Sequence, residues 1–349
     1  MCELLFFSPT DRKYRRENRK WQGIPGITMT SDGTLWAVWY SGGDGEGPEN
    51  YVLVVNSKDK GINWSEPIIV IDPPDDIRAF DPCLWTDPYG KLWLFWAMSK
   101  NWWDGKAGVW AITGEQVGDG CVWSKPRRIA DGIMMNKPAV LSTGEWLFPI
   151  AVWNREPFLP EMDNLRFSNV YISKDNGKTI TFLGSADVPE RMCDEHMIVE
   201  LKTGVLRMLV RTSYGIGESF SYDRGKTWIK GCSSNIAGPG SRFHIRRLNS
   251  GNLLLINHYG FSEKNRSHLT AMLSEDDGKT WPYKLLLDER DKVSYPDAIE
   301  TKNGEIFIIY DYDRYGKKEI LMAVVTEQDI KAGEIITPDS KLKMPVDDG

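Results

Sequence analysis

Apolar and polar positions along the chain fall into one recurring unit: a turn ending in glycine, then a strand that is apolar throughout or alternates. It reads Asp32-Gly33-Thr34-Leu35-Trp36-Ala37-Val38-Trp39, Tyr89-Gly90-Lys91-Leu92-Trp93-Leu94-Phe95-Trp96 and Thr143-Gly144-Glu145-Trp146-Leu147-Phe148. It continues as Thr203-Gly204-Val205-Leu206-Arg207-Met208-Leu209-Val210, Ser250-Gly251-Asn252-Leu253-Leu254-Leu255-Ile256 and Asn303-Gly304-Glu305-Ile306-Phe307-Ile308-Ile309. The glycines stand at 33, 90, 144, 204, 251 and 304, so the steps are 57, 54, 60, 47 and 53 residues. One such turn is a weak hairpin signal. Six at near-constant spacing predict six four-stranded antiparallel sheets set radially, because a lone sheet leaves a face exposed and stacking around an axis buries both. The expected fold class is all-β, a six-bladed β-propeller forming a single domain over 1–349.

A second motif reinforces the first. Ser57-Lys58-Asp59-Lys60-Gly61-Ile62-Asn63-Trp64 reads S-x-D-x-G-x-x-W, and it recurs at 221–228 and 274–281, with a copy at 173–180 that ends in Ile180. Units two and six lack it. Ser and Asp suit the capping of backbone N–H groups in a turn, Gly supplies a positive φ, and Trp packs between sheets. Its oxygen ligands are too few for a hard-cation cage, so no metal is expected there. The motif resembles the Asp-box of the sialidase (bacterial neuraminidase repeat, BNR) superfamily, and the likeness extends over most of the chain.

Composition narrows the classes. The chain has 43 basic and 49 acidic residues, a net charge of −6, and no long like-charge block, which argues against nucleic acid as a partner. No run approaches the ~20 apolar residues of a membrane helix, so no membrane is expected. Fifteen Trp and 32 Gly suit a turn-rich β protein. Cys2, Cys83, Cys121, Cys193 and Cys232 are odd in number, scattered and without a CxxC pair, so neither a disulfide framework nor a zinc site is expected. Met1 to Phe7 carries an early Glu3 and no basic segment before it, unlike a signal peptide, and the expected location is cytoplasmic. There is no P-loop, no GxGxxG after a strand and no HExxH, so no cofactor is expected.

Strand phase locates a site. Counting outward from the axis, the glycine turn joins the first strand to the second and the Asp-box joins the third to the fourth, which puts both on one face. The starts of all first strands and the ends of all second strands then surround the central hole on the other face. Nine residues before the glycines stand Ile24, Asp81, Met135, Glu195, Arg242 and Tyr295; seven after them stand Tyr40, Ala97, Ala151, Arg211, His258 and Asp311. Polar groups converging on a concave end form the default binding-site expectation. Loops add Asp44, Glu46, Glu49, Trp102, Trp103, Asp104, Arg155, Arg266 and Arg314, and Arg78, Lys137 and His244 lie just before strands. The arginines suit a substrate carboxylate, and Trp102, Trp103 and Trp153 are candidates to stack on a sugar.

The family resemblance assigns roles. Glu195-His196-Met197-Ile198-Val199-Glu200-Leu201, followed by Gly204 and Arg211, is similar to the sialidase pattern of a Glu that begins a strand with an Arg at the far end of the next. Tyr295-Pro296-Asp297 resembles the context of the family's tyrosine nucleophile, and Arg266 precedes the last well-formed Asp-box as a family arginine does. The resemblance implies a glycoside hydrolase that removes a terminal, acidic sugar from an oligosaccharide or glycoconjugate by a retaining route. Tyr295 would be nucleophile, Glu195 its base, and Glu49, chosen over Asp44 and Glu46, the acid/base. Arg211 and Arg266 would clamp the anion, with Arg242, His258, Asp81 and Arg78 also on the substrate. The family's first arginine sits in an Arg-Ile-Pro motif, whereas this chain has Gly23-Ile24-Pro25, with Arg19, Arg78 and Arg242 as candidates to replace it. Two alternatives stay open: a lyase on a uronate-containing glycan, with Tyr295 or His258 moving the proton, and a non-catalytic glycan-binding propeller.

Overall fold

The computed structural model describes residues 5–7, 9–117 and 120–349. Cys2, and Met1 to Leu4 of the segment read as unlike a leader, lie outside the described residues. Six antiparallel sheets follow one another in chain order. Their first strands are Gln22–Met29, Ile77–Thr86, Ala139–Val140, Met197–Glu200, His244–Arg247 and Val293–Glu300. These touch their counterparts in neighbouring sheets and so line the axis. Their partners are Leu35–Ser41, Leu92–Lys100, Trp146–Ala151, Leu206–Thr212, Leu253–His258 and Ile306–Tyr312. The fold is a six-bladed β-propeller. Four blades have four strands; blade 1 gains Leu5–Phe7 outside Ile69–Ile71, and blade 2 gains Gly120–Trp123, hairpinned to Gly108–Val117.

The packing follows from the strand pattern. Second strands are buried on both faces, and the buried apolar side chains fall into six clusters, one in each gap between blades. Between blades 2 and 3, Trp85 and Trp146 meet edge to face at 4.9 Å, beside Trp93, Phe95 and Phe148. Each such side chain contributes about 1.5–3 kcal/mol on burial. The abundant tryptophans thus serve mainly as inter-blade filling. The ring closes where Ile27, Trp39 and Leu53 of blade 1 meet Phe307, Ile309 and Met322 of blade 6. There Arg19 Nη1 and Gln22 Nε2 each donate to Asp347 at 2.7 Å.

The Ser-x-Asp-x-Gly segments form matching turns between third and fourth strands. Ser274 Oγ donates to Asp276 Oδ1 and accepts from the Gly278 N–H, both at 2.8 Å, while Thr280 gives Asp276 its N–H at 2.8 Å and its hydroxyl at 2.7 Å. Gly278 has φ +82°, a conformation costly for other residues. The copy ending in Ile180 makes the same bonds. Blades 2 and 6, without the motif, use that connection for the extra strand and for a helix, Glu327–Ala332, capped reciprocally by Thr326 and Asp329.

Candidate active site

Three first strands carry the same irregularity at the mouth opposite the glycine turns. Ile24, Asp81 and Tyr295 have φ of +60°, +45° and +54°, each precedes a proline, and each sits where the ladder slips register. A non-glycine residue held there costs of order 1–3 kcal/mol, and a bulge re-aims the side chain that would otherwise alternate. In blade 4 Cys193 and Asp194 have φ of +56° and +40° directly before Glu195. His196 anchors that segment, its ring nitrogens 2.8 and 2.7 Å from the carbonyl oxygens of Asp194 and Asn169. Five of the twenty described non-glycine residues with positive φ thus lie at or beside the mouth.

Glu195 and Tyr295, a hundred residues apart in the chain, meet there. Tyr295 Oη donates to Glu195 Oε1 at 2.6 Å, and Arg211 Nη1 donates to the same carboxylate oxygen at 2.7 Å and to Tyr295 Oη at 2.9 Å. All three are buried. Burial raises the Tyr295 pKa above its usual value, with the Glu195 charge adding to it and Arg211, Arg266 and Arg314 opposing. The resting phenol therefore keeps its proton and shares it with a carboxylate, the geometry from which Glu195 can accept it. Glu195 Oε2 has no partner among the described residues.

Cations ring the phenol. The guanidinium carbons of Arg314, Arg266 and Arg242 lie 4.2, 5.2 and 5.4 Å from its ring centre. Arg314 Nε donates to the fully buried Asp311 at 2.9 Å, and its Nη2 donates to Ser294 Oγ at 3.1 Å. This side chain fills the space above Gly23: a Cβ at residue 23 would lie 2.8 Å from Arg314 Cδ and Nε. The guanidinium at the Gly-Ile-Pro position therefore comes from blade 6, and the candidates Arg19, Arg78 and Arg242 are engaged elsewhere. Arg19 binds Asp347, and Arg78 lies 3.7 Å from the Phe80 ring with Nη1 donating to Asn50. Arg242 gives its terminal nitrogens to the carbonyls of Met135, Pro25 and Tyr295, which ties blades 3, 1 and 6 together beneath the site. Arg266 Nη2 donates to the Gly240 carbonyl at 3.0 Å.

The loop carboxylates separate. Glu46 accepts from Tyr40 Oη at 2.6 Å, and its charge reaches both Asp81 and Arg314. Asp44, Glu46 and Glu49 are all exposed, and none has a hydrogen bond to the Tyr295 cluster; Asp44 pairs with Lys20. Asp81 is 3% exposed and makes no hydrogen bond with any described residue. Burial, then the charge of Glu46, lifts its pKa to about 8, with Arg78 opposing and Glu195 adding. A carboxyl that holds its proton at neutral pH thus faces the axis. Its signal in the sequence was the Asp81-Pro82 pair in the register of Tyr295-Pro296; that of Arg314 was the glycine at 23.

Other expected residues are placed as follows. Trp103 stacks on Trp153 at 4.9 Å and Trp102 lies 5.8 Å from Trp153, with Arg155 4.1 Å over Trp102, forming an aromatic wall beside Phe80. His258 is enclosed, its Nδ1 donating to the Ser267 carbonyl at 2.8 Å, and burial pulls its pKa down to about 4. Lys137 and His244 do not join this mouth. Lys137 pairs with Asp297, His244 Nδ1 lies 3.1 Å from Asp297, and both line a cavity of about 1070 Å³ that opens at the glycine-turn end of the axis.

Residues 33–308 match the family model described as the BNR repeat-like domain. The chain belongs to that family. A sialidase of Paraclostridium sordellii is 25% identical over 245 residues, 60% of this BNR repeat-like chain and 58% of the relative, so the chain spans less than two thirds of that relative's length. Among solved structures, the Hadza microbial sialidase Hz136 superposes with a TM-score of 0.71 at 20% identity, covering 89% of this chain and 66% of that one. The intramolecular trans-sialidase of Ruminococcus gnavus, in complex with oseltamivir carboxylate, gives 0.68 at 14% identity over 89% and 95%. These likenesses establish the sialidase-type propeller as the fold.

Proposed function

We propose that the protein is a glycoside hydrolase that releases a terminal acidic sugar from an oligosaccharide or glycoconjugate with retention. The single observation that carries this reading is the Tyr295–Glu195–Arg211 contact, a phenol sharing its proton with a carboxylate inside a ring of guanidinium groups. Arg211, Arg266 and Arg314 would take the substrate carboxylate, since more positive charge surrounds the phenol than Glu195 and Asp311 offset. Glu195 removes the phenol proton as Tyr295 Oη attacks the anomeric carbon, and an aryl glycoside bond between the sugar and Tyr295 forms as the bond to the leaving oxygen breaks. A neutral nucleophile avoids repulsion by the sugar's own carboxylate.

The leaving oxygen needs a proton. We assign it to Asp81, which carries one at neutral pH and lacks a protein partner, with the charge of Glu46 helping to hold it; the expectation of Glu49 gives way to this pair. The deprotonated Asp81 then takes a proton from the water that hydrolyses the glycosyl–tyrosine intermediate. Of the two groups weighed for elimination, His258 is enclosed and bonded to Ser267, which leaves only Tyr295 for that route. The test uses 4-methylumbelliferyl glycosides of N-acetylneuraminic and glucuronic acids. Tyr295→Phe and Glu195→Gln should each lower kcat by about 10²–10⁴-fold. Turnover that survives both changes, or release of an unsaturated uronate from trigalacturonic acid offered in place of the aryl glycosides, overturns the reading.

A further inference from the structure

The cavity of about 1070 Å³ at the glycine-turn end of the axis takes no part in the chemistry at Tyr295, yet its wall holds cationic groups with unmet hydrogen-bonding capacity. Lys137 of blade 3 stands there with His244 and Arg246 of blade 5. His244 and Arg246 are two apart on an unbroken strand, so they face the same way about 7 Å from each other. Arg246 makes one hydrogen bond, from Nη1 to the Ala298 carbonyl at 3.2 Å, and no ion pair among the described residues; its Nε is buried without a partner. His244 is 2% exposed, and its Nε2 has no partner either. The carboxylates of the lining are engaged elsewhere. Glu200 and Glu300 accept the N–H groups of the exposed turn residues Ser142 and Asn249 at 2.6 and 2.7 Å, Asp87 accepts the Trp93 indole N–H at 2.9 Å, and Glu305 pairs with Lys60. The charge of Glu300 reaches Arg246 only from beyond pairing distance.

The tautomer of His244 narrows the ligand. Its Nδ1 lies 3.1 Å from Asp297 Oδ1, and a carboxylate beside one ring nitrogen places the ring proton there. Burial draws the imidazole pKa down to about 4, so near neutral pH the ring is uncharged and Nε2 presents a lone pair. A ligand that satisfies this wall needs anionic oxygens for Arg246 and an O–H for His244. Carboxylate and sulfate supply only the first. A singly protonated phosphate supplies both, and a guanidinium forms paired bonds to its oxygens. We propose that this cavity binds a phosphate group, free or in a small phosphate monoester, through Arg246, His244 and Lys137. The volume lies at the upper limit of small-molecule pockets and leaves room for the organic part of an ester.

The test titrates the full-length protein calorimetrically at pH 7 with orthophosphate, glucose 6-phosphate, sulfate and acetate. Both phosphates should bind about tenfold tighter than sulfate or acetate, the worth of one hydrogen bond that the latter two cannot make. Tighter binding of glucose 6-phosphate than of orthophosphate identifies a monoester as the ligand; parity or the reverse identifies free phosphate. Arg246→Gln should weaken phosphate by roughly tenfold or more, and Arg246→Lys, which keeps the charge, by less. His244→Phe, which removes the lone pair, should erase the preference for phosphate over sulfate. Arg266→Met alters the mouth at Tyr295 and should leave phosphate affinity unchanged. Circular dichroism melts check that each variant is folded. In the wild type, where folding is not at issue, nitrogen-15 NMR of the four histidines should show the His244 ring signal moving as orthophosphate is added. Equal affinities for phosphate and sulfate, no phosphate binding at millimolar concentration, or a loss of affinity in Arg266→Met instead of Arg246→Gln overturns the site.

Discussion

Arg314 offers the sharpest perturbation. If its guanidinium does the work that a side chain at residue 23 would do, Arg314→Met removes one charge-assisted contact to the substrate carboxylate, a loss of about 1.5–3 kcal/mol. That corresponds to a drop of roughly 10- to 150-fold in kcat/KM on an acidic aryl glycoside. The change also strips Asp311, fully buried, of its guanidinium partner, though Asp311 keeps Ser294 Oγ at 2.6 Å and the Ile24 N–H at 2.8 Å. Removing one partner of a buried pair costs about 3 kcal/mol at the lower end, so melts must accompany the kinetics. Geometry supplies the control. A Cβ at 23 would sit 2.8–2.9 Å from three Arg314 side-chain atoms, closer than real contacts allow, and Gly23 has no unusual φ to forbid a side chain. Gly23→Ala alone should therefore push Arg314 aside and lower kcat/KM. In the Arg314→Ala background the space is free, and Gly23→Arg should recover about tenfold of the loss, a coupling that independent sites would not show. Steady-state assays of the four variants decide it. A folded Arg314→Met enzyme within twofold of wild type, or no recovery from Gly23→Arg, refutes the reasoning.

Other outcomes can be checked in parallel. With an Asp81 pKa of about 8, well above the usual carboxyl value, the rate should fall as pH rises through 8, and Asp81→Asn should lose activity together with that alkaline limb in a kcat/KM–pH profile. Because the folded state binds that proton more tightly than the unfolded chain, Asp81 costs stability progressively from about pH 4 to pH 8; the melting temperature of Asp81→Asn relative to wild type should rise between pH 5 and pH 8. Glu46→Gln should move the alkaline limb to lower pH by removing a neighbouring negative charge, and Glu49→Gln should move it less. Asp347→Ala, which unpairs the buried Arg19 at the seam between blades 6 and 1, should cost about 3–5 kcal/mol in urea unfolding while kcat/KM changes little.

The blades were legible because their information is local: a glycine turn and a two-sided apolar strand recur within each unit, and every unit buries its strands against the next. The site was legible to the extent that it obeys the same period. Glu195 and Tyr295 both stand nine residues before a glycine, so equal strand phase carries them to one level of the axis although the chain separates them widely. Arg314 was counted on that face, but its place over residue 23 was not legible, since it depends on the empty volume at Gly23 and no periodicity records which distant side chain fills a gap. The loop carboxylates were not either, because a glycine-rich loop leaves the direction of Glu46 against Glu49 to contacts with Tyr40 and Asp81.

The misplaced pair, Lys137 and His244, shows how the count works. Both stand seven residues before a glycine, as does Asp297 and as does Gly26, where a Cβ would lie 3.4 Å from Asp297 Oδ2. Two residues further along the chain lie one step deeper on the axis; in blades 1 and 6 that step crosses the bulge at Pro25 and Pro296, so the bulge and not simple alternation sets which way the deeper side chain faces. The residues nine back thus form the floor of the mouth, and those seven back form a second layer, where Lys137, His244 and the Ile27 N–H converge on Asp297. The charge of Lys137 and the contact with His244 hold the Asp297 pKa well below the usual carboxylate value despite its burial. Lys137 and His244 of this layer line the cavity at the glycine-turn end, whereas Tyr295, two residues before Asp297, faces the opposite mouth, and the bulge between the two assigns one residue to each layer.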